Sequence, residues 1–153
     1  LLSALERIRG TPGLLLVSLG HGKAREGGAG GHLHLGYIGR DRLLSFAYSA
    51  ADLFVIPSLQ DNQPNTVLEA MACGVPVAAY PVTGPVDVVA DGVTGVLGQD
   101  LRAAALAALD LDPRACREHA LRYTWEAATR QFLGNLVTAR GGARHWAEAA
   151  SGA

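Results

Sequence analysis

Pro57-Ser58-Leu59-Gln60-Asp61-Asn62-Gln63-Pro64-Asn65-Thr66-Val67-Leu68-Glu69-Ala70-Met71-Ala72-Cys73-Gly74-Val75-Pro76-Val77 decides how this chain is read. Before it, the apolar run Leu53 to Ile56 reads as a short buried strand that stops at Pro57. Asn65 follows Pro64 and is placed to cap a helix carrying Thr66 to Cys73, with Gly74 ending it before Pro76. Two carboxylates, Asp61 and Glu69, therefore flank a loop-to-helix junction. Asp61 falls in the loop above a strand's C-terminal end. Glu69 falls about one turn into the helix, so both can face one crevice. A crevice of that kind suits a ligand with sugar hydroxyls at one end and phosphate at the other.

Outward from this stretch, strands and helices alternate. A helix is expected over Leu1 to Arg9, then a strand over Leu14 to Leu19 and a flexible glycine-rich loop from Gly20 to Gly31. His32 to Ile38 alternates as a second strand, and Asp41 is placed to cap a helix through Ala50. Downstream, strands are expected at Val75 to Tyr80 and Val93 to Leu97, with a helical turn over Val86 to Ala90 between them. Helices follow at Asp100 to Leu109, Asp112 to Ala120 and Trp125 to Arg140. Short buried strands spaced by helices imply βαβ units: an α/β fold with a parallel sheet and helices on both faces.

The 153 residues suffice for one domain with a real core. Hydrophobic residues make up 49% and charged ones 18%, which excludes a disordered chain. A net charge of -1 excludes bulk nucleic-acid binding through a basic field. Cys73 and Cys116 show no ligand spacing and read as inert thiols of a reducing compartment. The apolar runs Leu14 to Val17 and Ala103 to Leu109 are far below membrane-spanning length. The chain opens at Leu1 with apolar residues already at helical spacing, so it reads as a fragment of a longer protein.

Several other features carry little chemistry. His32 and His34 share a strand face, but with no third ligand they read as a surface pair rather than a metal site. The Gly20 to Gly31 loop is no phosphate fingerprint. Trp125 and Trp146 read as packing anchors. From Ala51 to Asp110 there are seven acids and one base, Arg102. A phosphate near Asn65 must then rely on helix-terminal N–H groups and on cations from elsewhere, with Lys23 and Arg25 as the internal candidates.

Asp61-x7-Glu69 within PSLQDNQPNTVLEAMACGVPVAA resembles the E-x7-E signature of the retaining GT-B glycosyltransferases, family 4 (glycosyltransferase group 1). LGYIGRDRLLSFAYSAADLFVIPS before it, DVVADGVTGVLGQD after it and RYTWEAATRQFLGNL in the tail are similar to the family's flanking segments, in family order from Leu1 to Leu136. The resemblance implies a Rossmann-like three-layer domain, the C-terminal half of a GT-B fold. It implies a domain over residues 1–140, a flexible or docked tail over 141–153, and an N-terminal acceptor domain absent from this chain.

The same resemblance implies site roles. Asp61 and Glu69 are the catalytic candidates, Asp61 bonding hydroxyls of the donor sugar and Glu69 those of the ribose. Asn65, Thr66 and Val67 match positions whose backbone amides approach the diphosphate. Tyr37 and Ile38 match the segment that borders the nucleobase. Asn62-Gln63-Pro64-Asn65 replaces the usual Gly-Phe-Gly, which puts Asn62 among the ligand-binding candidates. Asp61 is one methylene shorter than the usual Glu.

The activity that this resemblance implies is transfer of a sugar from a nucleotide-diphosphate donor to an acceptor sugar or lipid-linked glycan, with retained configuration. No separate cofactor is implied. The implied location is cytoplasmic, with peripheral association of the full protein at the inner membrane face. Two rival readings are a sugar-nucleotide epimerase of the same fold and a non-catalytic nucleotide-sugar-binding subunit.

Overall fold

The computed structural model describes residues 14–21 and 31–136. Among them the strands are β1 (Leu15–Leu19), β2 (Gly31–Gly36), β3 (Phe54–Ile56), β4 (Val77–Ala79) and β5 (Gly95–Leu97). The helices are α1 (Asp41–Ser49), α2 (Asn65–Ala72), α3 (Pro85–Val88), α4 (Leu101–Ala108), α5 (Pro113–Ala120) and α6 (Trp125–Gly134). Every strand pair is parallel, as the βαβ alternation implies. The strands form two ladders, β1-β2 and β3-β4-β5, rather than the single sheet expected. Each strand of the second ladder is only three residues long, and among the described residues β3 pairs only with β4.

Strand alternation sorts the second ladder's side chains to two faces. Ile56, Val77 and Ala79 join Val67 and Met71 of α2, Val88 of α3, and Cys116 and Ala120 of α5 in one cluster. Ala78, with Val55 and Val96, meets Leu101, Ala104, Ala105 and Ala108 of α4 on the other. Helices therefore cover both faces, and the three-layer expectation holds. Val67 and Met71 are fully buried; removing side chains of this size from water contributes about 1.5–3 kcal/mol each. Both cysteines are free, Cys116 buried and Cys73 partly so. Burial pushes the Cys116 thiol up.

Helix ends explain where the elements stop. Asp100 and Asp112 cap α4 and α5 through their side chains. Two expected caps are corrected: Asn65 and Asp41 are the first helical residues of α2 and α1. Pro64 and Arg40 hold the cap positions instead, neither making a side-chain cap bond. The proline before Asn65 already sets the extended entry that a capping asparagine would otherwise adopt, leaving Asn65 inside the helix. Gly74 does end α2, at φ +80, with its N–H on Met71 O and the Val75 N–H on Ala70 O. The Arg117 guanidinium also donates to Ala72 O, a cation at the negative end of α2.

Among the described residues, those through Arg122 form one compact unit and those from Tyr123 another. In the second, Thr124 accepts from the Ala127 N–H at 3.1 Å and starts α6. Trp125, expected as a packing anchor, is 87% exposed. The expected helix over Leu1 to Arg9, Trp146, the part of the last helix beyond Leu136 and the tail lie outside the described residues.

Candidate functional site

β3 runs into Pro57, and the chain then loops at the strand's C-terminal end before α2 begins. Asp61 sits half-buried in that loop, and its carboxylate takes no hydrogen bond from the described residues. Beside it lies the loop from β4 to α3. There Gly84 adopts φ +94, a backbone conformation that side chains disfavour. A Cβ on Gly84 would sit 3.0 Å from the Asp61 carbonyl oxygen and 3.1 Å from Pro64 Cδ. Two loops thus meet above the ends of neighbouring parallel strands, where open α/β sheets bind ligands.

Glu69 lies one turn into α2, exposed as a residue but held at one oxygen. The Tyr48 hydroxyl donates to Glu69 Oε2 at 3.1 Å. Tyr48 comes from the last turn of α1, is 6% exposed, and packs edge-on against Phe54 with ring centroids 5.7 Å apart. Burial first, then the Glu69 charge and hydrogen bond, push the Tyr48 phenol well above the ordinary tyrosine range, so it stays a neutral donor. Sequence reasoning misses Tyr48. The signal that could have found it is four-residue spacing from Leu44 on a buried helix face, where a tyrosine hydroxyl needs a partner.

The N-terminus of α2 opens toward solvent, with Asn65 and Thr66 exposed. Of the three amides expected to meet a diphosphate, Val67 N–H is already bonded to Pro64 O at 3.0 Å. The amides of Asn65 and Thr66 are those that the helix itself leaves for an anion. Asn62 is exposed in the preceding loop.

Tyr37 and Ile38 follow β2, which ends at Gly36. Tyr37 is 68% exposed, and its ring stacks on His21 at 4.7 Å. No hydrogen bond or ring contact joins Tyr37 or Ile38 to Asp61 or Glu69 among the described residues. Lys23 and Arg25 lie outside those residues.

The histidine pair is corrected from a surface pair to a half-buried one. His32 Nε2 and His34 Nδ1 both lie 2.8 Å from the Ser18 hydroxyl, on the inner face of β1 and β2. Parallel register places Ser18 opposite His34, so one hydroxyl serves two rings. No group of three or more metal-ligating side chains occurs among the described residues, and no helix there is long and apolar enough to cross a membrane.

The fold matches solved structures. That of Anabaena Alr3699/HepE in complex with UDP aligns with a TM-score of 0.62, covering 88% of this chain and 43% of that one at 18% identity. The same protein with UDP-glucose aligns at a TM-score of 0.61 and 19% identity, over 89% of this chain and 44% of that one. In sequence, the D-inositol 3-phosphate glycosyltransferase of Kribbella flavida is 40% identical over 103 residues, 60% of this chain and 24% of that protein. The protein of the same name from Thermobispora bispora is 44% identical over 96 residues, 56% of this chain and 22% of that protein. The chain spans about a quarter of the length of these curated relatives. The family model described as Glycosyl transferases group 1 matches residues 1–111, and the chain belongs to that family.

Proposed function

We propose that this chain is the donor-binding, C-terminal half of a retaining GT-B glycosyltransferase. It moves a hexose from a nucleotide diphosphate to an acceptor hydroxyl with the anomeric configuration kept. The observation that carries the reading is the loop-to-helix junction after β3: Asp61 lies half-buried in the loop at that strand's C-terminal end, and Glu69 lies one turn into α2 with one oxygen bonded to Tyr48. Family membership and the likeness to a fold solved with UDP and UDP-glucose support it.

In this reading Glu69 accepts hydrogen bonds from the ribose hydroxyls, and Asp61 from hydroxyls of the donor sugar. The amides of Asn65 and Thr66, at the positive end of α2, meet the diphosphate, with Asn62 beside it. Charge develops on the phosphate as the glycosidic bond breaks, and preorganised N–H donors stabilise it there. Val67 acts by fixing the first turn rather than by offering its amide. Tyr37 and Ile38 border the base. No separate cofactor enters, and cations come from outside the acid-rich segment Ala51 to Asp110.

Residues 1–140 form the donor domain, and a second, acceptor-binding half completes the enzyme. The acceptor is a sugar, a lipid-linked glycan or, given the names of the relatives, a phosphorylated cyclitol. The whole enzyme works in the cytoplasm, at the inner face of the membrane when its acceptor is lipid-linked.

The test is a screen of nucleotide-diphosphate sugars against these acceptor classes with the intact protein. Nucleoside diphosphate release and the anomeric configuration of the product are followed. Release coupled to a retained glycoside is expected. An inverted product refutes retention, and conversion of the donor to its epimer without transfer refutes the transferase.

A further inference from the structure

Among the described residues, α1 reaches the proposed donor site through the Tyr48 hydroxyl. The Tyr48 hydroxyl reaches Glu69 Oε2 at 3.1 Å from a side chain that is otherwise buried. Both ends of that bond are anchored. Tyr48 is wedged against Phe54 at an interplanar angle of 79°, and Ser45 O on α1 accepts from Cys73 Sγ at the C-terminal end of α2 at 3.8 Å. On the α2 side, Ala70 and Met71, the two residues after Glu69, are fully buried. Glu69 itself is exposed and, without a partner, would sample many rotamers.

A carboxylate offers about four lone-pair sites. The phenol takes one at Oε2, which leaves Oε1 and the rest of Oε2 for two neighbouring hydroxyls. We propose that Tyr48 is a positioning residue of the donor site, its hydroxyl holding Glu69 in the orientation that accepts both ribose hydroxyls. This rests on the reading of Glu69 as the ribose acceptor. Tyr48 touches no substrate in it. Ordering Glu69 before the ligand arrives removes a cost that binding would otherwise carry.

The test uses the intact protein and the variants Tyr48→Phe, Glu69→Ala and the double variant. Phenylalanine keeps the ring against Phe54 and removes only the hydroxyl. The probes are whichever of uridine, guanosine and adenosine diphosphate binds the wild type best, and its 2′,3′-dideoxy analogue. Tyr48→Phe should weaken the ribonucleotide by about tenfold, which is about 1.4 kcal/mol, and leave the dideoxy analogue unchanged. Added to Glu69→Ala, it should cause no further loss. Wild-type affinity in Tyr48→Phe alongside a weakened Glu69→Ala overturns the positioning role and leaves the ribose reading standing. Equal losses for both probes reduce Tyr48 to a structural residue and also overturn it. Wild-type affinity in Glu69→Ala removes the ribose reading, and the positioning role falls with it.

Discussion

The Asp61 carbonyl and Gly84 are in contact across two loops: a single methyl group on Gly84 would stand 3.0 Å from that oxygen. The contact joins the loop after β3 to the loop after β4. Gly84 also holds φ +94, and its N–H donates to Asp87 Oδ2 at 3.2 Å to open α3.

Gly84→Ala should therefore act on the site as well as on the fold. Strain at a positive φ costs roughly 1–3 kcal/mol, and the new methyl pushes on backbone that cannot rotate away. Urea unfolding should show a lower midpoint, and nucleotide-sugar affinity should fall more than that of free nucleoside diphosphate. An unchanged midpoint with unchanged binding would show that the two loops do not meet.

Thr94 is a buried polar anchor in the turn before β5. It is fully inaccessible, and its Oγ1 accepts from the Ala90 N–H at 2.9 Å. Thr94→Val keeps the shape but removes the partner of that part-buried amide, a loss of about 1 kcal/mol. Thr94→Ser, which keeps the hydroxyl, should lose less. The two urea midpoints decide; a valine variant as stable as the wild type rejects the role given to the hydroxyl.

Tyr48 links stability to alkaline pH. Burial and the Glu69 charge raise its phenol above the ordinary value near 10, so the folded chain holds this proton more tightly than the unfolded one. The stabilisation is fully present below about pH 10 and is lost as pH climbs through the higher folded value. Between about pH 9 and 11.5, the unfolding free energy of the wild type should fall more steeply than that of Tyr48→Phe. Parallel curves would mean that the phenol titrates alike in both states.

Much of the fold was legible because its punctuation is local. Gly74 stops α2, and Asp100 and Asp112 start α4 and α5, through bonds within a few residues of each other. Parallel pairing followed from helices placed between short apolar runs. The carboxylate pair was legible for the same reason: its spacing lies within one loop and one helical turn. Features that sequence could not show depend on distant partners. The bond between Tyr48 and Glu69 spans 21 positions, and the Gly84 contact with Asp61 spans 23. Asn65 was misplaced by one position because Pro64 supplies the extended entry that a capping asparagine also favours. The split into two ladders lies beyond local pattern, since the strands' apolar runs look alike whichever neighbour they pair with.

The most direct measurement is a calorimetric titration of free nucleoside diphosphate, and then of the nucleotide sugar, against intact wild type, Glu69→Ala and Asp61→Ala. Glu69→Ala should lose about 1.5–3 kcal/mol toward the free nucleotide, the scale of hydrogen bonds to a charged group. Asp61→Ala should bind the free nucleotide normally and lose a similar amount only when the sugar is attached. Wild-type affinity of Glu69→Ala for the free nucleotide would contradict the assignment of Glu69 to the ribose, and with it the proposed donor site.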